Sequence, residues 1–185
     1  IEFFWAFMIF ATGLVFVRTM IVAWLAYRHH DSTRKAVTTS EKFTPPLSVI
    51  IAAYNEQKVI AKTVRSVLET DYEGEFEVIV VDDGSKDDTT GEVERLAAGE
   101  PRVRLIRQVN GGKASALRRG LDQARHGIIV FLDADTLFER GTLGAIVQPL
   151  AKPLVGAVSG HARVGNLRTF IARCQSLEYI CGFNL

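Results

Sequence analysis

Two carboxylates one residue apart, Asp133 and Asp135, close the apolar run Ile128–Leu132 within Gly127–Thr136, GIIVFLDADT. The run is rich in β-branched and aromatic residues, which is how a fully buried parallel strand reads. In an open α/β sheet, ligands bind outside the carboxyl ends of the strands, so the two acids stand where chemistry is expected. Residues i and i+2 of an extended backbone point to the same side. Two hard, anionic oxygen ligands on one side suit Mg²⁺ or Mn²⁺, which keep most other positions for water and phosphate. Asp133 and Asp135 are therefore the candidate metal ligands. The same spacing would also serve a turn or a helix cap.

Two further strand ends deliver polar groups to the same edge: Tyr54-Asn55-Glu56 and Asp82-Asp83-Gly84-Ser85. Any one of these groups could be a turn with capping residues, but all of them together point to a nucleoside diphosphate. A carboxylate after the second strand can accept a hydrogen bond from a base N–H or a ribose hydroxyl. Lys113, after Gly111-Gly112, is a point cation able to approach a diphosphate, with the glycines letting the backbone come close. Other phosphate-binding and hydrolytic signatures are absent: there is no G-x-G-x-x-G after the first strand, no G-x-x-x-x-G-K-[ST] and no G-x-S-x-G elbow. No Cys/His spacing suits a metal, and Cys174 and Cys181, on one face of a helix-like stretch, could not bridge within it.

The elements that must position these groups alternate between strand and helix from Leu47 onward. Leu47–Ala53 reads as a buried strand, and Asn55 is placed to cap a helix carrying Val59, Ile60, Val64, Val67 and Leu68. Phe76–Val81 is a second strand, a helix starts at Asp87 or Asp88, and Val103–Ile106 is a third strand. Ala114, Leu117, Leu121 and Ala124 stripe the helix before the Ile128–Leu132 strand. A helix from about Gly141 and a strand at Leu154–Ser159 follow. Such alternation predicts an α/β fold, a mainly parallel sheet flanked by helices. Asn166–Leu185 has the spacing of an amphipathic helix, suited to packing on the domain or lying on a membrane surface.

The 185-residue chain is near the size of one domain with an appendage, and its net charge of +1 gives no reason to expect nucleic acid. Its apolar residues are concentrated at the start. Phe3–Tyr27 would span about 37 Å as a helix, against roughly 30 Å of hydrocarbon. Arg18, the one charge there, costs about 2.5–3.5 kcal/mol near the bilayer centre. The 12 Phe, Ile, Leu and Val residues of Phe3–Leu25 return about 4–7 kcal/mol in sum. Insertion is therefore favoured, with Trp5, Trp24 and Tyr27 near the two ends. Arg28, His29, His30, Arg34 and Lys35 follow, which by the positive-inside rule puts this flank and the next domain on the cytoplasmic side. The organisation expected is a transmembrane helix over 1–28, a basic and polar linker over 29–46 ending in Pro45-Pro46, and a domain over 47–185. The chain is expected to be a piece of a longer protein.

At these residues the chain resembles the inverting, membrane-bound, processive glycosyltransferases of family 2, the group of poly-β-1,6-N-acetylglucosamine, hyaluronan, chitin and cellulose synthases. The matching blocks are VIIAAYNE at Val49–Glu56, VVDDGSKDDT at Val80–Thr89, NGGKASAL at Asn110–Leu117, FLDADT at Phe131–Thr136 and VGAVSGHARVGN at Val155–Asn166. The last block resembles the N-acetylglucosamine-polymer and hyaluronan branch most. It also resembles the transferase half of proteins that carry a polysaccharide deacetylase before it. The resemblance implies a GT-A, Rossmann-like nucleotide-sugar fold, a UDP-sugar donor, with N-acetylglucosamine as the sugar, a polysaccharide acceptor and a place in the cell membrane.

Residue by residue, it implies that Tyr54 and Glu56 border the uracil and that Asp82 and Asp83 hold the uridine. Lys113 would sit near the diphosphate. Asp133 and Asp135 would bind the nucleotide and its Mg²⁺ or Mn²⁺, with Asp135 the direct ligand, and Ser159–Asn166 would border the donor sugar. Ala52 stands where the family usually has Pro, and His161 where Asn is common. The family's general base and its Gln-x-x-Arg-Trp acceptor motif would lie beyond Leu185. Transfer of one sugar to a polyprenyl phosphate and a non-catalytic nucleotide-sensing module are the competing readings. A nucleotidyltransferase would leave Asp82-Asp83-Gly84-Ser85 without a task.

Overall fold

The structure, a computed structural model, describes residues 2–36, 42–160, 165, 169 and 171. It divides into two units, and α1 (Glu2–Ala36) belongs to the first. The helix does not stop near residue 28 but continues to Ala36, through the flank expected as linker. No Gly or Pro lies between Arg28 and Ala36 to break it. Within α1, Phe3–Val22 is 20 residues long and apolar enough to cross a membrane, and none of that window is buried.

The second unit, Lys42–Val158, holds β1 (Leu47–Ala53), α2 (Ile60–Leu68), β2 (Phe76–Asp82), α3 (Thr89–Gly99), β3 (Val103–Arg107), α4 (Lys113–Asp122), β4 (Ile128–Asp133) and α5 (Thr142–Val147). A 3-10 turn, Gln148–Ala151, follows. The four strands are parallel, in the order β3-β2-β1-β4. β1 and β2 bury every residue but Ala52, because helices cover both faces of the sheet centre. Val49, Ile51, Val78, Val80, Val130 and Leu132 pack against Val64 and Val67 of α2, Val93 of α3 and Leu143 of α5. Ile50, Ile79 and Val81 meet Ala116 of α4 on the other face. At Gly120 the α4 backbone comes so close to the sheet that an added Cβ would stand 2.4 Å from Ile50 Cγ2 and 3.2 Å from Val81 Cγ2.

Register levels the strand ends. Ala53 pairs with Asp82 and Ala52 with Asp133, so the residues that follow β1, β2 and β4 emerge at one edge.

Two further expectations fail. β4 is not buried on both faces: among the described residues it pairs only with β1, and Phe131 is 54% exposed on the face that α4 covers nearer the sheet centre. Leu154–Ser159 forms no strand, for residues 155–160 have no regular structure and Leu154 is 99% exposed. The apolar run meets no sheet edge among the described residues, and an unpaired strand has no ladder to hold it. Most of Ser159–Asn166 and Asn166–Leu185, with His161, Cys174 and Cys181, lies outside the described residues.

Candidate active site

The levelled strand ends open onto a cleft of about 290 Å³, lined by Tyr54, Glu56, Asp83, Lys113, Asp133 and Asp135 with Ala52, Ala53 and Ala134. Residues from the ends of β1, β2 and β4 and from the start of α4 thus share one cavity. Asp82 does not line it. Its carboxylate is buried and accepts from Ser85 N–H at 2.9 Å and from the Thr90 hydroxyl, tying the β2 end to α3.

Asp83 is buried too, but its carboxylate faces the next loop. Oδ1 accepts from Gln108 Nε2 at 2.7 Å and Gly111 N–H at 2.8 Å, and Oδ2 from Gly112 N–H at 2.8 Å. Burial pushes the Asp83 carboxyl up, but these donors outweigh it and hold the group below the usual carboxylate range. Gly112 takes φ +86°, a conformation glycine adopts without strain, and α4 begins at the next residue, Lys113. Asp83 therefore fixes where Lys113 leaves the backbone.

Lys113 extends to β4, its Nζ 2.5 Å from Asp133 Oδ1, with both side chains more than half exposed. Asp133 is the last residue of β4, and Asp135 lies in the turn after it. Ala134, between them, is buried against the core while both acids are exposed. The turn is held from beneath. The buried Thr63 hydroxyl of α2 donates to the Ala134 carbonyl at 2.7 Å, and Ser66 Oγ accepts from Phe138 N–H at 3.0 Å.

The rim by Tyr54 is built by two loops that exchange hydrogen bonds. Asn55 does not cap α2, which begins after Val59 without a side-chain cap. It sits at φ 57° instead, its N–H donating to Ser85 Oγ at 3.0 Å and its Oδ1 accepting from Lys86 N–H at 2.8 Å. Gln57 N–H donates to Asp87 Oδ2 at 3.1 Å and Glu56 N–H to Thr89 Oγ1 at 2.9 Å. Thr63, Gln108 and the strut made by Asn55 escape a reading of sequence alone. Their partners lie far off in the chain, and the only signal is polar residues at buried or strand-end positions.

As a metal site, the cleft offers two exposed carboxylates. Among the described residues no cluster of three or more His, Cys, Asp and Glu side chains is placed to enclose an ion. That donor set fits Mg²⁺ or Mn²⁺ completed by water and phosphate oxygens, and does not fit a closed structural site. The arrangement can present acids and one ammonium to a diphosphate, with a polar rim for a nucleoside.

The glycosyl transferase family 2 model matches residues 48–181. The poly-β-1,6-N-acetyl-D-glucosamine synthase of Staphylococcus epidermidis is 33% identical over 134 residues, 72% of this chain and 32% of that protein. That of Staphylococcus aureus strain COL is 31% identical over the same coverage. The chain thus spans about a third of the length of these curated relatives. Among solved structures, a mannosyltransferase from Pyrobaculum calidifontis in complex with GDP-Man and Mn²⁺ matches with TM-score 0.57 and 31% identity, covering 75% of this chain and 43% of that one. Staphylococcus aureus TarS in complex with UDP-GlcNAc matches with TM-score 0.52 and 27% identity, covering 65% and 38%.

Proposed function

The chain belongs to glycosyl transferase family 2, and on that premise we propose that it carries the donor half of an inverting glycosyltransferase. The donor is a UDP-sugar, with N-acetylglucosamine as the sugar, and the acceptor is a hydroxyl of a growing polysaccharide. In the reaction the acceptor oxygen bonds to the anomeric carbon and gives up its proton to a general base, as the bond from that carbon to the diphosphate oxygen breaks and UDP leaves. One observation carries the reading: Tyr54, Glu56, Asp83, Lys113, Asp133 and Asp135 line a single cleft.

The residues divide the work by chemistry. Tyr54 and Glu56 border the base, and Asp83 faces the uridine while it fixes the loop before α4. Lys113 meets the diphosphate. Asp133 and Asp135 would hold Mg²⁺ or Mn²⁺, with Asp135 the direct ligand, and the metal when bound would neutralise charge on the departing diphosphate. Asp82, buried, held by Ser85 and Thr90 and outside the cleft lining, serves the site by shaping the β2 end.

We further read α1 as a membrane span, with the basic flank after it and the transferase unit on the cytoplasmic side. A polysaccharide deacetylase as fused or separate partner would fit a polymer of N-acetylated sugar. The experiment is a titration of UDP in the presence of Mn²⁺, repeated with Asp135→Ala. Metal-dependent affinity is expected to fall at least about tenfold, 1.4 kcal/mol; unchanged affinity would remove Asp135 from the site.

A further inference from the structure

We propose that Lys113 is an internal stand-in for the divalent cation, so that the acid pair takes metal tightly only after a nucleoside diphosphate has drawn the lysine away. The inference rests on the nucleotide-diphosphate reading above and deepens it by giving the two ligands an order.

Four observations carry it. The ammonium of Lys113 stands 2.5 Å from Asp133 Oδ1, on one of the two carboxylates that would receive the metal. Among the described residues it is also the one cationic side chain lining the cleft. A divalent ion arriving alone must therefore either displace Lys113 or sit a few ångströms from a like charge. Displacement forfeits the pair and leaves Lys113 no second acid within ion-pair distance among the described residues, and staying beside Lys113 meets like-charge repulsion.

Lys113 also cannot retreat as a whole. Gly111 and Gly112 are held by Asp83 at 2.8 Å each, so the backbone before it is anchored and only the side chain can swing. The pair itself is loose, since the side chains of Lys113 and Asp133 are 60% and 56% exposed. An exposed pair of this kind is held weakly. A diphosphate offers the ammonium a more highly charged partner, and the freed Asp133 oxygen becomes available to the metal that the same diphosphate recruits. Nucleotide and metal then bind synergistically, each raising the affinity of the other by the same factor.

The test titrates Mn²⁺ into the full chain in detergent micelles, following free Mn²⁺ by electron paramagnetic resonance, with and without saturating UDP. Wild type should bind Mn²⁺ weakly alone and much more tightly with UDP. Lys113→Met should bind Mn²⁺ alone about two- to fivefold more tightly than wild type, a gain of about 0.4–1 kcal/mol, and should benefit less from UDP. Lys113→Arg, which keeps the charge, should resemble wild type. Lys113→Met binding Mn²⁺ alone no better than wild type, while UDP still enhances binding in wild type, would overturn the stand-in and leave the nucleotide reading intact. If UDP enhances Mn²⁺ binding in neither protein, the nucleotide reading fails and takes the stand-in with it.

Discussion

The Thr63 hydroxyl donates to the carbonyl of Ala134 at 2.7 Å, a buried bond that joins α2 to the turn carrying Asp133 and Asp135. It is a specific link between the helix layer and the acids. Removing the donor while keeping the shape would leave a buried carbonyl unsatisfied, at a cost of about 1–3 kcal/mol. Thr63→Val should lower the urea midpoint accordingly and weaken Mn²⁺-dependent UDP binding severalfold, whereas Thr63→Ser should keep both. Equal UDP binding in the two variants would show that the turn holds its shape without α2.

Asp83 and Glu77 contribute to the response to acid, together with Asp87 and Glu100, whose carboxyls are also held low. Burial pushes Glu77 up, but Arg125 N–H at 2.7 Å, Arg104 at 2.8 Å and the Ser48 hydroxyl at 2.8 Å together hold it below its ordinary 4.5. Asp83 lies below its ordinary 3.8. A carboxylate whose value is lower folded than unfolded contributes stability above the unfolded value, and loses it as pH falls toward the folded one. The urea midpoint should therefore stay flat above about pH 5.5 and drop below about pH 4. Asp83→Asn and Glu77→Gln should each be less stable near neutrality and show a shallower acid slope. An acid slope equal to that of wild type would mean the chosen carboxylate is not the one titrating.

Gly120 is the point where α4 lies nearest the sheet. The Cβ of Gly120→Ala would sit 2.4 Å from Ile50 Cγ2, in a core position that is fully buried. Overpacking of this kind costs about 1–3 kcal/mol, more than the helix propensity that alanine adds. A fall in melting temperature is expected. A rise would show that α4 can lift off the sheet without loss.

Asn55 combines a left-handed backbone with a side-chain bond to Lys86 N–H at 2.8 Å. Asn55→Gly should lose only the bond, and Asn55→Ala both the bond and the conformational tolerance, a total of about 1–3 kcal/mol. The expected order of thermal stability is wild type, then Asn55→Gly, then Asn55→Ala. Alanine melting above glycine would rule out backbone strain as the deciding factor.

These cases show which parts were legible in the sequence. The first three strands were, since LSVIIAA, FEVIVV and VRLI are mainly apolar, β-branched segments, and a parallel sheet follows from the intervening helices. Once those strands are parallel and level, their polar ends must meet, so the lining of the cleft could also be anticipated. The exceptions have a common cause. Asn55 fits the local rule for a helix cap, but its partner lies 31 residues away and wins. Asp82 and Asp83 look alike in sequence, yet strand pleat sends one carboxylate toward α3 and the other to the loop before α4. The apolar text of β4 cannot say that among the described residues only β1 stands beside it, because that depends on its neighbours and not on its own residues.

The triple hold of Asp83 on the 108–112 loop has a consequence for speed as well as for shape. The backbone that presents Lys113 is ordered when the domain folds, so an arriving ligand meets a finished surface and needs only a rotamer change, an event of picoseconds to nanoseconds for an exposed side chain. Capture of the nucleotide should thus be governed by diffusion, not by a slow rearrangement of the loop.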